Sequence, residues 1–232
     1  MGYAAGTGLE RVQVAAWRLL TLNLNDEIDL LEAAWADIDE DTAEIAGVDP
    51  LDHEPITVEH IATADFFRGH RPSVLAAPMD RFPAVAVLCS QSRWNPLLDS
   101  DQGESQNISM AIELVVRSAE IAGETYEATV KAEDEVNSRC LRTVDAIRNV
   151  ISRSPSLGGT VAPIGTEPTV RILNVAQRRE RQTTGALWLI QGARLEYTVE
   201  RPARLEPLPN PNHLSSRVAA MVGPEGFSFD QQ

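Results

Sequence analysis

The chain has 232 residues, of which 43% are apolar, and a formal net charge of -14 at neutral pH. This apolar fraction excludes a wholly disordered chain, and the length allows one sizeable domain with appendages. No apolar run approaches the roughly 18 residues of a membrane-spanning helix, and the acidic balance argues against binding duplex DNA through a basic face.

The acidic charge is concentrated at the start of the chain. Residues 1–60 hold 14 aspartates and glutamates against Arg11 and Arg18, whereas the rest of the chain holds 20 acidic and 18 basic residues. The first residues contain no basic leader followed by an apolar stretch, so we expect the protein to be made and used in a cytoplasm.

Cys89 and Cys140 lie in apolar patterns, and we expect two buried thiols rather than a disulfide.

Two helices are predicted in the first 47 residues. The first covers residues 9–20, where apolar residues recur at three- and four-residue steps. We expect Asn23 and Asn25 to interrupt it, and Asp26 to cap a second, acidic helix that ends by Gly47.

Four prolines divide residues 48–80, where the pattern indicates only a short strand at 56–58 and a helical turn at 64–67. The signal becomes stronger at residues 83–89, an apolar run of strand length that is typical of a strand covered on both faces. Residues 91–107 are polar and rich in turn formers, which predicts a long connection. Residues 108–116 then alternate in polarity, as in a strand with one buried face.

The clearest helix follows Gly123, with an apolar stripe from Val136 to Ile151, and Pro155 and the Gly158-Gly159 pair end it. Two strands, 169–176 and 186–200, are predicted as a hairpin or meander, and Gly192 suggests a bulge in the second.

The element order predicts an α+β fold: a mostly antiparallel β-sheet with a long helix packed on one face, plus N-terminal helices and an extended C-terminal arm. We divide the chain into an acidic N-terminal helical segment at residues 1–62, an α+β core domain at 63–201 and a proline-rich arm at 202–232. Five prolines after residue 200 exclude a regular element throughout the arm.

No motif for catalysis or cofactor binding is found. The chain lacks a phosphate-binding loop, a dinucleotide fingerprint and a nucleophile elbow. Its four histidines have no ligand-like spacing to a cysteine, so we expect no metal. The sequence therefore predicts a non-enzymatic protein without catalytic, cofactor-binding or metal-binding residues.

Three features are candidates for contacts between subunits. The densest acidic cluster is read as a solvated helix end rather than a cation site, because it lacks the glycine and closing glutamate of a calcium loop. A predicted hairpin tip is either an exposed loop or a basic finger that meets acidic helices of a neighbouring subunit. A tryptophan in the polar connection is either a core residue or part of a contact surface. The acidic cluster consists of Asp37, Asp39, Glu40 and Asp41. The hairpin tip contains Arg178, Arg179 and Arg181, and the tryptophan is Trp94.

Several segments carry a resemblance to a known family: FPAVAVLCS, the alternating IELVV, the helix EDEVNSRCLRTVDAIRNVI and the closing LEYTVER. Together with LLTLNLNDEIDLLEAAW near the start, they resemble the tail terminator proteins of long-tailed, siphovirus-type bacteriophages, particularly those of actinobacterial hosts. Only one of the 20 basic residues is lysine, which suits a host with a GC-rich genome. The resemblance covers residues 9–201 and does not explain the proline-rich arm.

The resemblance implies a virion protein of the tail-neck region, assembled in the host cytoplasm. It implies a homo-hexameric ring that caps the tail tube beneath the head-tail connector. Its partners would be copies of itself, the tail tube protein and the connector or stopper protein, with DNA only passing through a central channel and no membrane or cofactor. Closing a ring requires two different patches on each subunit, and the acidic helices and the arginines at 178–181 are one such pair.

Three other functions stay open on the sequence alone. A neck or head-completion protein would share the ring but lie one layer higher. A small cytoplasmic hydrolase or nucleotide-modifying enzyme would need converging polar residues in a pocket. A free regulatory binding module would be monomeric or dimeric in solution.

Overall fold

The computed structural model describes residues 8–47, 55–69, 81–95, 104–121, 125–174, 176–179 and 187–203. It contains two α-helices and six β-strands within these ranges. In chain order they are α1 (Gly8–Ala46), β1 (Phe66–Arg68), β2 (Ala84–Asn95), β3 (Glu104–Arg117), α2 (Tyr126–Arg153), β4 (Thr169–Ile172), β5 (Ala176–Arg179) and β6 (Leu187–Ala203).

The strands form one sheet in the order β1-β2-β3-β6-β4, and β5 pairs with β6 beside β4. Only the β1–β2 pair is parallel; the other four pairings are antiparallel. The predicted α+β class, with a mostly antiparallel sheet and a long helix on it, is confirmed. Of the arm predicted at 202–232, only residues 202 and 203 are described, and they belong to β6; the rest lies outside the described residues.

Both helices contribute to one hydrophobic core with the sheet. α1 packs against β1, β2 and α2, while α2 packs against β3 and β6. The predicted alternation in β3 is confirmed, because Ile108, Met110, Ile112 and Leu114 are all buried in this core. Residues of α1 from Val12 to Trp35 belong to the same cluster, so the acidic first helix and the core domain pack as one unit. Among the described helices, none combines the length and apolar character needed to cross a bilayer.

α2 forms as its sequence predicts. Thr125 caps its N-terminus by accepting a hydrogen bond from the Ala128 amide at 3.2 Å. The apolar stripe from Val136 to Ile151 is buried. The chain leaves the helix through Gly158 and Gly159, whose φ angles of 68° and 82° favour glycine.

The prediction of two N-terminal helices is wrong, because α1 is a single helix of 39 residues. Asn23 donates from Nδ2 to the Leu19 carbonyl at 2.7 Å. Asn25 exchanges two hydrogen bonds of 3.0 Å with the backbone of Ile61. Both asparagines therefore find partners without breaking the helix. Buried residues recur at every fourth position through this region: Val12, Ala16, Leu20, Leu24 and Ile28.

The prediction of a long connection at residues 91–107 is wrong at both ends of this range. β2 continues to Asn95 and β3 begins at Glu104, and the two strands pair from Gln91 with Ser109 to Asn95 with Ser105. The register shifts between Cys89 and Gln91, which is a β-bulge and re-aims the outer part of β2. Polar residues on both strands of this extension made it resemble a loop.

Two other local predictions need correction. Residues 56–58 form no strand; they run as an irregular segment beside the helices. The helical turn predicted at 64–67 is a 3-10 turn, Thr63–Asp65, followed directly by β1.

The strand predicted at 169–176 is two strands, β4 and β5, that pair with successive parts of β6. Gly192 causes no bulge, because the β3–β6 register is continuous across it. A Cβ at this position would lie 2.8 Å from Leu173 Cδ1 and 3.1 Å from the Leu114 carbonyl oxygen. Glycine is therefore required by close approach of the neighbouring chain segments.

We expect Gly192→Ala to lower the free energy of unfolding by about 1–3 kcal/mol, because the added methyl group overpacks the site between β3 and residue 173. Urea unfolding followed by circular dichroism measures this change. Gly165→Ala is the matched control, since a Cβ there meets nothing within 4 Å. Equal effects of the two substitutions would contradict the packing argument.

Candidate functional site

The interface between the two helices is held by a buried ion pair. Asp39 of α1 and Arg142 of α2 are 5% and 7% exposed. The guanidinium donates from both terminal nitrogens to the carboxylate, with one distance of 3.1 Å. The Ile56 amide donates to the same carboxylate at 3.0 Å, and Arg142 lies over the Trp35 ring at 5.8 Å from its centroid. The pair thus joins α1, α2 and the irregular segment that precedes β1.

A second ionic cluster lies beside the first. Glu59, in the same irregular segment, accepts from Arg139 at 3.2 Å and from Arg117 at 3.3 Å. Arg139 also pairs with Glu135 at 2.7 Å and donates to the Arg117 carbonyl at 3.2 Å. This cluster connects β3, α2 and the irregular segment.

A third cluster lies further along the helix interface. The buried Glu27 of α1 pairs with Arg153 of α2. Asn149 of α2 donates to the same carboxylate at 3.0 Å. Glu27 and Asp39, although part of the acidic first segment, therefore stabilise the fold from inside.

The predicted acidic cluster divides into buried and exposed members. Asp37, Glu40 and Asp41 are exposed along α1, as expected of a solvated acidic surface. For Asp39 this reading is wrong, because its carboxylate is buried and bonded to Arg142. The carboxylate of Asp39 thus serves the helix interface, and its predicted contact with a neighbouring subunit is not tested by the structure.

The other predicted contact residues lie on strands or outside the described residues. Arg178 and Arg179 belong to β5, opposite Trp188 and Leu187 of β6, and not to a hairpin tip. Arg181 lies outside the described residues. Their contact with a neighbouring subunit stays a prediction.

Trp94 belongs to β2, opposite Gln106 of β3, and not to a loop. The structure describes the backbone of Trp94 but not its side chain. Its place in a contact surface stays a prediction.

An exposed strand edge was missed by the sequence reasoning. β4 pairs with β6 along one edge, and no described strand pairs with its outer edge. Val170 and Ile172, on the helix side of the sheet, and the following Leu173 are 38%, 41% and 51% exposed. The signal in the sequence was the run TVRIL, whose apolar residues read as a buried strand because β-branched residues are usually covered.

The opposite face of the sheet carries a row of charges. Arg194 of β6 donates to Glu113 of β3 at 2.7 Å and to Glu196 at 2.8 Å. Partial burial acts to lower the pKa of Arg194, but the hydrogen bonds and charges of the two carboxylates outweigh it and raise this pKa. These three charges are paired within the chain, so this part of the face is electrostatically balanced.

The two cysteines are free thiols; Cys140 is buried and Cys89 is half-buried. Burial raises the pKa of each thiol to about 12, and burial likewise raises the pKa of Tyr197 to about 12. These groups therefore stay neutral at physiological pH. No group of three or more potential metal ligands occurs among the residues that the structure describes.

No family model matches this chain, and no curated protein matches it.

We expect Asp39→Ala to lower the free energy of unfolding by about 3–5 kcal/mol, because it leaves Arg142 buried without its counter-charge. Chemical denaturation measures the loss. Asp37→Ala removes an exposed carboxylate two residues away and should change stability by less than about 0.5 kcal/mol. A mild effect at Asp39 would show that the pair does not hold the helices together.

The raised thiol and phenol pKa values predict a loss of stability at alkaline pH. The ordinary pKa values of 9.0 and 10.0 apply to the unfolded chain, whereas the folded values are about 12. Between these limits the unfolded chain releases protons that the folded chain retains, so stability falls as pH rises above 9. Unfolding free energies at pH 8 and pH 10 measure the slope, which should be smaller in a Cys89→Ala, Cys140→Ala variant.

Proposed function

We propose that this chain is a structural subunit that assembles with copies of itself into a ring, in the manner of tail terminator proteins of long-tailed bacteriophages. The observation that carries the proposal is the open edge of β4, with its three exposed apolar side chains. Natural proteins usually protect sheet edges with charge, proline or a covering element. An edge that combines unpaired backbone groups with apolar side chains is suited to contact with a neighbouring subunit.

Hydrogen bonding and apolar burial act together at such an edge. The backbone groups on the outer side of β4 can pair with a strand or loop of the next subunit, which gives a defined register. Burial of Val170, Ile172 and Leu173 adds a favourable term proportional to the apolar area removed from water. In the proposed ring the β4 edge meets a different surface of the next subunit, which makes the contact heterologous, as ring closure requires.

The acidic charge of the chain supports the same assignment. A ring with a net negative charge repels the phosphates of DNA that passes through its centre, so the DNA slides without binding. In this proposal the protein works by surface complementarity and not by catalysis. Its partners are the tail tube protein on one side and the head-tail connector on the other, in the neck of the virion.

Measurement of the mass of the purified full-length protein tests the proposal. Native mass spectrometry should find a species of six times the 25.4 kDa chain mass, and negative-stain images should show rings. A protein that stays monomeric at every concentration contradicts it. A neck or head-completion protein would form the same kind of ring, and labelling the protein in intact virions separates the two positions.

Substitutions at the β4 edge test the surface that carries the proposal. We expect the double variant Val170→Asp, Ile172→Asp to remain folded but to lose the assembled species, because two charges are placed in the apolar contact. Thr169→Asp is the matched control, since it adds a charge on the same strand but on the opposite face of the sheet. Rings that persist in the double variant would exclude β4 as a contact.

A further inference from the structure

The first half of α1 carries a basic patch, formed by Arg11, Ala15, Arg18 and Leu22. These residues recur at steps of four, three and four, which places them on one side of the helix. Both arginines and Leu22 are exposed. All four residues line a groove of about 530 Å³, which is also lined by Leu157, Gly158 and Thr160 after α2 and by Glu10.

The second half of α1 carries an acidic patch with an apolar centre. Its apolar members recur at steps of four, four and seven and so share one side of the helix; they are Leu30, Ala34, Ile38 and Ile45. Leu30, Ile38 and Ile45 are 66%, 55% and 89% exposed. Asp37, Asp41 and Glu44 lie on the same side and are also exposed.

The two patches match in spacing and are opposite in charge. Arg11 and Arg18 are seven residues apart, and so are Asp37 and Glu44, which sets each pair about 10.5 Å apart along the helix axis. Apolar side chains accompany the charges in both patches, so apolar contact and ion pairing can occur together. Arg11 and Arg18 are the only arginines or lysines in the first 60 residues.

The patches of one chain cannot meet each other. Their centres are about 20 residues apart on one continuous helix, which is about 30 Å at the α-helical rise. A helix cannot fold back on itself without breaking, so the acidic patch can reach a basic patch only on another copy.

We propose that the acidic patch of one copy docks on the basic patch of the next, so that α1 helices join the subunits head to tail. The inference rests on the proposed self-assembly and names its partner surfaces. A contact between two different patches is heterologous, as ring closure requires. The exposed ion pairs set partner choice and orientation, and the isoleucines and leucines contribute the burial.

A charge-swap experiment with the full-length chain tests this contact. One variant carries Arg11→Glu and Arg18→Glu, and the other carries Asp37→Arg and Glu44→Arg. We expect each variant alone to lose the assembled species at concentrations where the wild type is assembled, because its two patches then carry charge of the same sign. An equimolar mixture should restore it, because every contact in an alternating ring then joins opposite charges. A ring of six permits this alternation.

Circular dichroism and thermal unfolding show that each variant is folded. The variant Glu133→Arg, Asp134→Arg is the matched control for the acidic-patch variant, since it makes the same change of charge at exposed positions on α2 and should assemble as the wild type does. Reversal of Arg178, Arg179 and Arg181 to Glu tests, for comparison, the contact that the sequence predicts for this second basic segment.

The outcomes separate the inference from the proposed function. Rings that still form in both α1 variants overturn the inference and leave the proposed ring standing. Variants that lose assembly but are not rescued by mixing also overturn it, because complementarity of charge is then not the cause. Loss of assembly only on reversal of Arg178, Arg179 and Arg181 assigns the contact to residues 178–181 and overturns the inference. A wild-type chain that never assembles overturns both proposals.

Discussion

The buried pair between Asp39 and Arg142 is the constraint on which the rest of the fold depends. Removing two charges from water is costly unless each finds its counter-charge and hydrogen bonds in fixed geometry. Here the Ile56 amide and the Trp35 ring complete the surroundings of the pair. Because neither charge can stay buried without the other except at high cost, the pair favours one position of α1 along α2 and holds the irregular segment beside it. It also decides which acidic residues of α1 face outward, and thereby which surface is available to a partner.

Much of the fold could be predicted from local pattern, and the failures share one cause. The stripe in α2 and the alternation in β3 are strong because each element buries one face along its whole length. Asn25 was predicted to interrupt the helix because its hydrogen-bond partner, Ile61, is 36 residues away in the chain. Asp39 was indistinguishable from Asp37 for the same reason, since Arg142 lies 103 residues away. Polar residues in the outer parts of β2 and β3 resembled a loop because their partners are polar as well. The sequence alone does not display long-range partners.

The candidate surfaces were predictable only in part. Exposed acids on α1 follow from charge and periodicity, whereas the open edge of β4 depends on which strand ends the sheet. That position is a property of topology, because the same TVRIL run in the centre of the sheet would be buried. The β4 edge and the two patches on α1 lie on different elements, so a subunit can hold its neighbours through a strand contact and a helix contact together. Two contacts of different kinds restrict rotation between subunits more than either contact alone.

The four-residue spacing of the buried positions on α1 has a geometric consequence. An α-helix turns through about 100° per residue, so a side chain four positions on lies about 40° further round the axis. The covered side of α1 therefore winds around the helix from Val12 to Ala43, and the side open to solvent winds with it. The solvent-exposed sides at the two ends of α1 consequently face in different directions. In the proposed assembly, copies joined through these ends are turned relative to one another at every step, and the row closes into a ring where the accumulated rotation makes a full turn.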